Sequence, residues 1–442
     1  MEASEKYHII TYGCQMNEHD SEKISGQLQD MGYEPTEEAE NADIVVINTC
    51  LVRENAELTV YGKVGALKKL KENNPDMILA VGGCMMQKDE PADRLYEKHP
   101  QVDIIFGTHN RHRIPALIEE IKSGREQIVE VWDEPQEPDP DTPVKRKNNF
   151  QAWVTIVRGC DNYCSYCVVP HVRGPERSRS EADIISEVEN LVKDGVKEIT
   201  LLGQNVNAYG QDLNSSTSFA GLLEKLAGIK DLKRIRFMTS HPRDFHQGII
   251  DVVRDNDSIC SHYHLPVQSG STKILQRMNR GYTRDEYLKL VEKIRADDEK
   301  AAITSDIIVG FPGETEEDFQ QTLDLVRRCR FDMAFTFSYS TRPGTAAEKM
   351  EDKVDSEIKN ERLQRLMDVQ NEISREQNEK LIDEVVEVLV EGESKNNPDT
   401  FSGYTATNKL VIIPARPELQ GKIVPVKITE AGSWTLYGEL LD

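Results

Sequence analysis

Residues 158 to 167 read Arg-Gly-Cys-Asp-Asn-Tyr-Cys-Ser-Tyr-Cys, which sets Cys160, Cys164 and Cys167 in the spacing C-x3-C-x2-C. No other stretch constrains the fold as tightly, because the fold must hold this one short loop so that three thiolates face a single bound group. Three thiolates can wrap one face of a small metal cluster. A four-iron cluster needs four ligands, so three cysteines leave one iron open to the donor atoms of a small molecule. A structural zinc site is the competing reading of this stretch. Zinc usually takes four closed ligands, often from two C-x2–4-C pairs, and His171 would then be the fourth. The spacing favours the cluster.

The chain has 442 residues, enough for two to four domains. Its hydrophobic content of 38% and charged content of 30% are those of a globular protein, and no apolar run reaches the length of a membrane span. Met1 to Lys6 is polar and acidic, without the apolar core of a signal peptide, so a cytoplasmic location is expected. In a reducing compartment the eight cysteines are read as metal ligands before disulfides. A net charge of −23 argues against a general nucleic-acid coat but not against a local basic site. One stretch runs against that balance. Lys145, Arg146, Lys147, Arg158, Arg173, Arg177 and Arg179 face only Asp161 and Glu176 between positions 145 and 179. A solvated face would explain it, but its coincidence with the cysteine loop points to an anionic substrate.

Up to about residue 132, short apolar runs alternate with helical stretches. Strands are expected at 7–12, 43–48, 77–81 and 102–106, and helices at 21–31, 58–73 and 114–123. Such alternation implies a parallel sheet with helices on its faces. Cys14, Cys50 and Cys84 each follow one of these strands, in Tyr-Gly-Cys, Asn-Thr-Cys and Gly-Gly-Cys, separated by 36 and 34 residues. The carboxyl ends of strands in an open parallel sheet line one crevice, so the three should converge. Three buried core cysteines are the plainer alternative; three at equivalent places favour a second cluster. The Pro- and acid-rich stretch 133–141 opposes helix and sheet and reads as a linker.

From 145 to 350 the alternation resumes, with strands expected at 153–157, 198–202, 234–238, 259–264, 303–309 and 334–338. Helices are expected at 180–194, 271–278, 283–297 and 315–329, the last opening on a capping-box-like Thr315 and Asp318. Six such units make a partial barrel whose site faces the carboxyl ends of the strands. His241, His262, His264, Cys260 and Cys329 read as structural. A long charged helix over 355–383, with an apolar stripe of Ile358, Leu363, Leu366, Val369 and Ile373, links this region to the tail. The tail reads as five short strands in a small β-barrel able to present Lys409, Arg416, Lys422 and Lys427.

These pieces together resemble the radical S-adenosylmethionine (SAM) methylthiotransferase family over nearly the whole chain. The resemblance rests on Thr11 to Asn17 (Thr-Tyr-Gly-Cys-Gln-Met-Asn), Asn48-Thr49-Cys50, Gly83-Cys84, Gly159 to Cys167, Arg173 to Arg179, His264 to Gly270 and Gly310 to Thr315. The first of these runs resembles the MiaB-type branch, which modifies transfer RNA. The chain departs from the family's pattern at Tyr404, where a basic residue is expected after Gly403.

The resemblance implies an α/β multidomain protein. Its parts would be an open parallel α/β methylthiotransferase domain (1–132), a linker (133–144), a radical SAM (β/α)6 partial barrel (145–375) and a TRAM RNA-binding barrel (376–442). It implies two [4Fe-4S] clusters and SAM as cofactors. Cys160, Cys164 and Cys167 would hold the cluster that cleaves SAM, and Cys14, Cys50 and Cys84 an auxiliary cluster carrying the sulfur to be donated. Tyr166, Gln204, Asn205, Ser240 and Gly310 are the expected SAM contacts, with Arg177 and Arg179 touching SAM or RNA phosphate. The implied substrate is N6-isopentenyladenosine beside the anticodon, methylthiolated at C2 with two SAM molecules. C2 bears an unactivated C–H bond, which is why a radical is needed. The implied partners are the tRNA anticodon stem-loop, an electron donor such as flavodoxin and Fe–S delivery proteins, acting on a monomer away from membranes. Alternatives are methylthiolation of N6-threonylcarbamoyladenosine or of a ribosomal protein, and, from another class, a non-catalytic zinc- and RNA-binding protein.

Overall fold

The computed structural model describes residues 4–51, 54–134, 142–213, 217–395 and 397–441. The expected linker falls largely on 135–141, outside the described residues. The chain divides into two compact units: residues 1–148 with 158–161 and 168–175, and residues 149–157, 162–167 and 176–442.

The first unit runs β1 (Lys6–Thr11), α1 (Gln15–Asp30), β2 (Glu34–Pro35), β3 (Ile44–Thr49), α2 (Glu54–Asn73), β4 (Ile78–Gly83), α3 (Asp89–Lys98), β5 (Ile104–Phe106), α4 (Ile114–Lys122) and β6 (Ile128–Glu130). All six strands are parallel, in the order β2-β1-β3-β4-β5-β6. β3 and β4 are buried along their whole length, as a parallel sheet covered on both faces requires. Val45, Ile47, Leu79 and Val81 meet α2 and α3 through Val60, Val64, Leu67 and Leu95. The alternate residues Ile44, Val46, Ile78 and Ala80 meet α1 and α4 through Ile24, Leu28, Ile114 and Leu117. The strand order reverses between β1 and β3, the topological switch point where open α/β sheets form their crevice. α1 begins at Gln15, earlier than the periodicity predicts. Its first turns carry no apolar stripe because Asn17, His19, Asp20 and Ser21 are themselves buried.

The chain continues through β7 (Gln151–Thr155), β8 (Val157–Arg158), α5 (Val169–Arg173), β9 (Arg177–Ser178), α6 (Glu181–Lys193), β10 (Glu198–Leu202), α7 (Phe219–Ala227), β11 (Arg234–Phe237) and α8 (Gln247–Arg254). It goes on through β12 (His262–His264), α9 (Thr272–Arg277), α10 (Arg284–Asp297), β13 (Ala302–Val309), α11 (Glu316–Cys329), β14 (Met333–Ser338) and α12 (Ser356–Glu379). The second unit holds two parallel sheets, β11-β10-β7 and β12-β13-β14, bridged in parallel at Ile235 and Ile259. Together they form the six-stranded partial barrel. α11 opens on a full capping box between Thr315 and Asp318. α12 is more than a connector: Leu366 and Ile373 enter the barrel's core, while Ile358 stays exposed.

The last five strands, β15 (Val385–Ser394), β16 (Asn397–Thr405), β17 (Leu410–Pro414), β18 (Ile423–Ala431) and β19 (Thr435–Leu440), close into a barrel in the order β15-β16-β17-β19-β18. Polar contacts fix it to the amino-terminal ends of the partial barrel's strands. Arg234 donates to the carbonyls of Tyr404 and Glu387, both at 2.9 Å. Arg236 donates to Thr405 (2.6 Å) and Ala406 (3.1 Å). The buried Glu198 neutralises Arg236 at 2.9 Å. Lys409 reaches Asp332 at 2.7 Å and Lys427 reaches Asp383 at 2.9 Å. Lys409 is therefore spent within the chain, while Lys427 keeps a 44% exposed side chain and Arg416 and Lys422 are exposed. His262 and His264 both contact the hydroxyl of Thr304, at 2.9 and 3.0 Å, and Cys260 and Cys329 are buried, in keeping with structural roles. Among the described residues, no helix is long and apolar enough to cross a membrane.

Candidate active site

Cys14, Cys50 and Cys84 sit just past the carboxyl ends of β1, β3 and β4, three neighbouring strands of the first unit. Cys50 and Cys84 are buried and Cys14 is exposed. The approach is close: a Cβ on Gly13 would lie 2.7 Å from Cys50 Cβ and 2.9 Å from its Sγ. Gly13 adopts φ +121°, which only glycine reaches without strain. Gly83 is held the same way, at φ +97° and pressed on Asn48 and Thr49.

Asn17, one turn into α1 and fully buried, touches the segments of all three cysteines. Its Nδ2 donates to the Tyr12 and Thr49 carbonyls, both at 2.8 Å, two residues before Cys14 and one before Cys50. Its Oδ1 lies 3.8 Å from Cys84 Sγ and accepts from Arg173 Nη2 at 2.8 Å. Asn48 donates back to the Asn17 carbonyl and to Ser21. Arg173 is in turn held by Asp20 at 2.8 Å, which also faces Arg111 at 3.3 Å and Arg158 at 3.8 Å. Burial pushes the Cys84 thiol up to about 11, against the pull of the Arg173 cation. This crevice therefore offers three thiols with a fixed positive charge beside them. That donor set suits an anionic, thiolate-bound cluster, whose ligands must lose their protons on binding.

In the C-x3-C-x2-C loop Cys160 and Cys164 are buried and Cys167 is partly exposed. The segment 277–280 anchors its later half. Ser165 donates through its backbone to Met278 O (3.0 Å) and through its hydroxyl to Arg277 O (2.8 Å). Asn279 Nδ2 reaches the carbonyls of Asn162 and Tyr163. Arg280, buried, directs Nη1 at Cys164 Sγ from 3.2 Å, with its other nitrogens on Pro266 O (2.6 Å) and Tyr282 Oη (3.0 Å). Neither Arg280 nor Asn17's bridging role was singled out by sequence. Arg280 stands 116 residues from Cys164 in the chain, whereas Asn17 lies within the Cys-Gln-Met-Asn run that carries the resemblance.

The turns after β10 and β11 interlock. Asn205 and Asn207 accept from the His241 backbone at 3.1 and 2.8 Å, Asn205 donates to Asp244 and Asn207 to the His241 carbonyl. Asn205 thus holds a turn in place. Ser240 Oγ, His241 Nε2 and Gln268 Oε1 are buried without a hydrogen-bond partner. His241 Nδ1 accepts from Arg243 N, so its proton sits on Nε2. Burial, with Arg280 and Arg243 nearby, lowers its pKa to about 2 and keeps the ring neutral. These unpartnered atoms at the carboxyl ends of β11 and β12 form a polar cradle that fits a small polar cofactor. Tyr166 meets Phe311 edge-on at 6.5 Å. Gln204 is partly buried, and the Gly310 N–H is taken by Glu314 at 2.8 Å.

Four of the seven cations in the basic stretch between 145 and 179 pair with carboxylates of the chain. Arg158 and Arg173 serve Asp20, Lys147 pairs with Glu18, and Arg179 binds Glu187 and the Thr155 carbonyl. Glu18 and Asp20 lie more than 120 residues from Lys147 and Arg173, whereas Glu187 follows Arg179 by eight. Arg177 is half-buried on β9 and His171 is exposed.

Three family models match the chain: the uncharacterized protein family UPF0004 over residues 6–107, the radical SAM superfamily over 154–326 and the TRAM domain over 379–441. The chain is 53% identical over 437 residues to the tRNA-2-methylthio-N(6)-dimethylallyladenosine synthase of Natranaerobius thermophilus, covering 99% of this chain and 97% of that one. It is 52% identical over 441 residues to the enzyme of the same name from Desulforamulus reducens, covering 100% and 96%. It is 51% identical to that from Moorella thermoacetica, with both chains fully covered. Its fold resembles that of the radical SAM methyltransferase TsrM from Kitasatospora setae, solved with cobalamin and a [4Fe-4S] cluster (TM-score 0.57, 14% identity, 78% of this chain and 74% of that one). It also resembles the cobalamin-dependent SAM radical enzyme OxsB (TM-score 0.51, 13% identity, 83% and 56%).

Proposed function

The chain belongs to the tRNA-2-methylthio-N(6)-dimethylallyladenosine synthases, a radical SAM family, and on that premise we propose which of its residues carry the reaction. The enzyme places a methylthio group on C2 of N6-isopentenyladenosine in tRNA, using SAM and two [4Fe-4S] clusters. When bound, these cofactors supply a carbon-centred radical and the sulfur to be donated.

Cys160, Cys164 and Cys167 hold the SAM-cleaving cluster, and Cys14, Cys50 and Cys84 the auxiliary one. The observation behind this assignment is that two separate three-thiol sets each have their own polar support, Asn17 with Arg173 in the first unit and Arg280 at Cys164 in the second. Asn17 fixes the backbone ahead of Cys14 and Cys50. Arg173 offsets negative charge at Cys84. Arg280 donates an N–H to the Cys164 sulfur. Ser240, the Nε2–H of His241 and Gln268 present unpartnered polar atoms to SAM, with Asn205 and Asn207 positioning the turn. Tyr166, Gln204 and Gly310 are assigned as further SAM contacts. Arg177 is assigned to RNA phosphate, and Arg179, bound to Glu187, to positioning β9.

The target adenosine lies beside the anticodon and leaves its stack to react. A cytoplasmic monomer, served by a flavodoxin-type electron donor and Fe–S delivery proteins, completes the proposal. Cluster counting tests the ligand assignment. Anaerobically reconstituted wild type should hold about eight irons, and the Cys14/Cys50/Cys84→Ala and Cys160/Cys164/Cys167→Ala proteins about four each. Stoichiometric zinc, or unchanged iron in either triple variant, would sink it.

A further inference from the structure

Three exposed aromatic rings in the second unit are used neither by its core nor by the cysteine loops. β14 is the edge strand of its sheet, and along it Phe335 and Phe337 are 42% and 44% exposed. Two residues apart on a strand, they share one face. Trp434, in the turn between β18 and β19, is 55% exposed. All three line one shallow depression with Met367, Gln370 and Asn371 of α12. Single exposed apolar residues are ordinary, but three large rings around one depression mark a binding surface.

Their placement says what binds. Lys409 and Asp332 tie the amino end of β14 to the TRAM barrel. The Trp434 turn is fixed to α12 by Ser433 Oγ on Asn371 O (3.0 Å) and Asn378 Nδ2 on Gly432 O (2.8 Å). The other end of β14 leads to Tyr339, whose N–H bonds Val309 O beside the Gly310 turn. The rings therefore lie along the route from the RNA-binding barrel to the carboxyl-end loops, where the cofactor cradle sits. Phe335 also meets His264 edge-on at 6.2 Å. Two barrel lysines, Lys409 and Lys427, are already paired with carboxylates and the chain carries −23. RNA affinity on this face must then come from stacking more than from phosphate charge.

We propose that Phe335, Phe337 and Trp434 form a stacking platform for unpaired nucleotides of the tRNA anticodon loop, guiding the loop from the TRAM barrel to the carboxyl ends of the barrel strands. The proposal rests on the tRNA reading above. Bases of any identity stack on such rings, so the platform supplies affinity and alignment without sequence choice.

The test is fluorescence anisotropy of a labelled, isopentenylated anticodon stem-loop on the reconstituted enzyme. Trp434→Ala and Phe337→Ala should each weaken binding about ten-fold (about 1.4 kcal/mol). Their salt dependence should be unchanged, because stacking releases no counterions. Trp434→Phe and Phe337→Tyr should stay within about two-fold of wild type. Iron content and circular dichroism control for folding. Wild-type binding with unaltered affinity in both alanine variants overturns the platform alone, as does a change in sedimentation with RNA affinity intact, which would make the face a contact between copies. Failure of the wild type to bind the stem-loop overturns the tRNA reading and the platform with it.

Discussion

Replacing Asp20 by Asn should lower the melting temperature of the first unit by about 6–12 °C at neutral pH. Asp20 is 4% exposed, with Arg173 at 2.8 Å, Arg111 at 3.3 Å and Arg158 at 3.8 Å. Burial by itself raises its pKa; the three guanidiniums outweigh that and hold the carboxyl well below the usual carboxylate range. Asparagine keeps the shape and one acceptor but removes the carboxylate charge opposite those cations. Breaking a buried pair from one side costs about 3–5 kcal/mol, and the retained acceptor argues for roughly 3. For a unit of this size each kcal/mol moves the transition by about 2–4 °C. The assay is calorimetry of the metal-free protein, following the first unit's transition. The sign with pH is fixed. A depressed folded-state pKa contributes stability that is fully present above the unfolded value of about 4 and fades as pH falls through the folded value. The gap between wild type and variant should be flat from pH 6 to 8 and narrow below about pH 4. A variant melting within about 2 °C of wild type at pH 7, or a gap that widens in acid, would refute the reasoning.

Asn17→Leu, which fills the same space without hydrogen bonds, should cost the Cys160/Cys164/Cys167→Ala protein most of its roughly four remaining irons, read by iron assay; full retention would deny Asn17 its bridging role. Arg280→Met should shift the potential of the SAM-cleaving cluster to more negative values in Cys14/Cys50/Cys84→Ala protein, read by spectroelectrochemical titration, since hydrogen bonds to ligand sulfur favour the reduced state. Arg280→Lys should recover part of the shift, and an unmoved potential in the Met variant would show a packing role only. Arg236→Ala leaves Glu198 with Arg234 at 3.8 Å and Gln151 at 3.0 Å but frees two carbonyls of the small barrel, so destabilisation of about 2 kcal/mol and faster protease cleavage near residues 379–384 are expected. Unchanged cleavage would mean other contacts dock that barrel.

The sequence made some of this legible because the signals were local. A short apolar run ending in Gly-Cys places Cys14 and Cys84 at strand ends without knowledge of the neighbours, and β3 announces itself by Ile-Val-Val-Ile. What stayed hidden depends on partners far away in the chain. The first turns of α1 look like an ordinary polar surface, yet Asn17 and Asp20 are buried because Arg173, more than 150 residues on, closes over them. Arg280 looks like any loop arginine until folding sets it against Cys164. The run of basic residues near the cysteine loop suggested an anion site; what it did not show is that Glu18, Asp20 and Glu187 pair with four of its seven cations inside the chain. The apolar stripe of α12 was visible, while its seat against the barrel core was not, since periodicity shows a buried face without showing what covers it.

Nucleoside mass spectrometry tests the central claim most directly. The reconstituted protein is given SAM, a reductant and isopentenylated tRNA without oxygen, and the RNA is digested. The account predicts a methylthio mass gain on isopentenyladenosine that disappears with Cys160→Ala and with Cys50→Ala. Release of 5′-deoxyadenosine with no gain on that nucleoside, and a gain instead on threonylcarbamoyladenosine or a ribosomal protein, would contradict the substrate. Neither product from fully iron-loaded protein would contradict the enzyme.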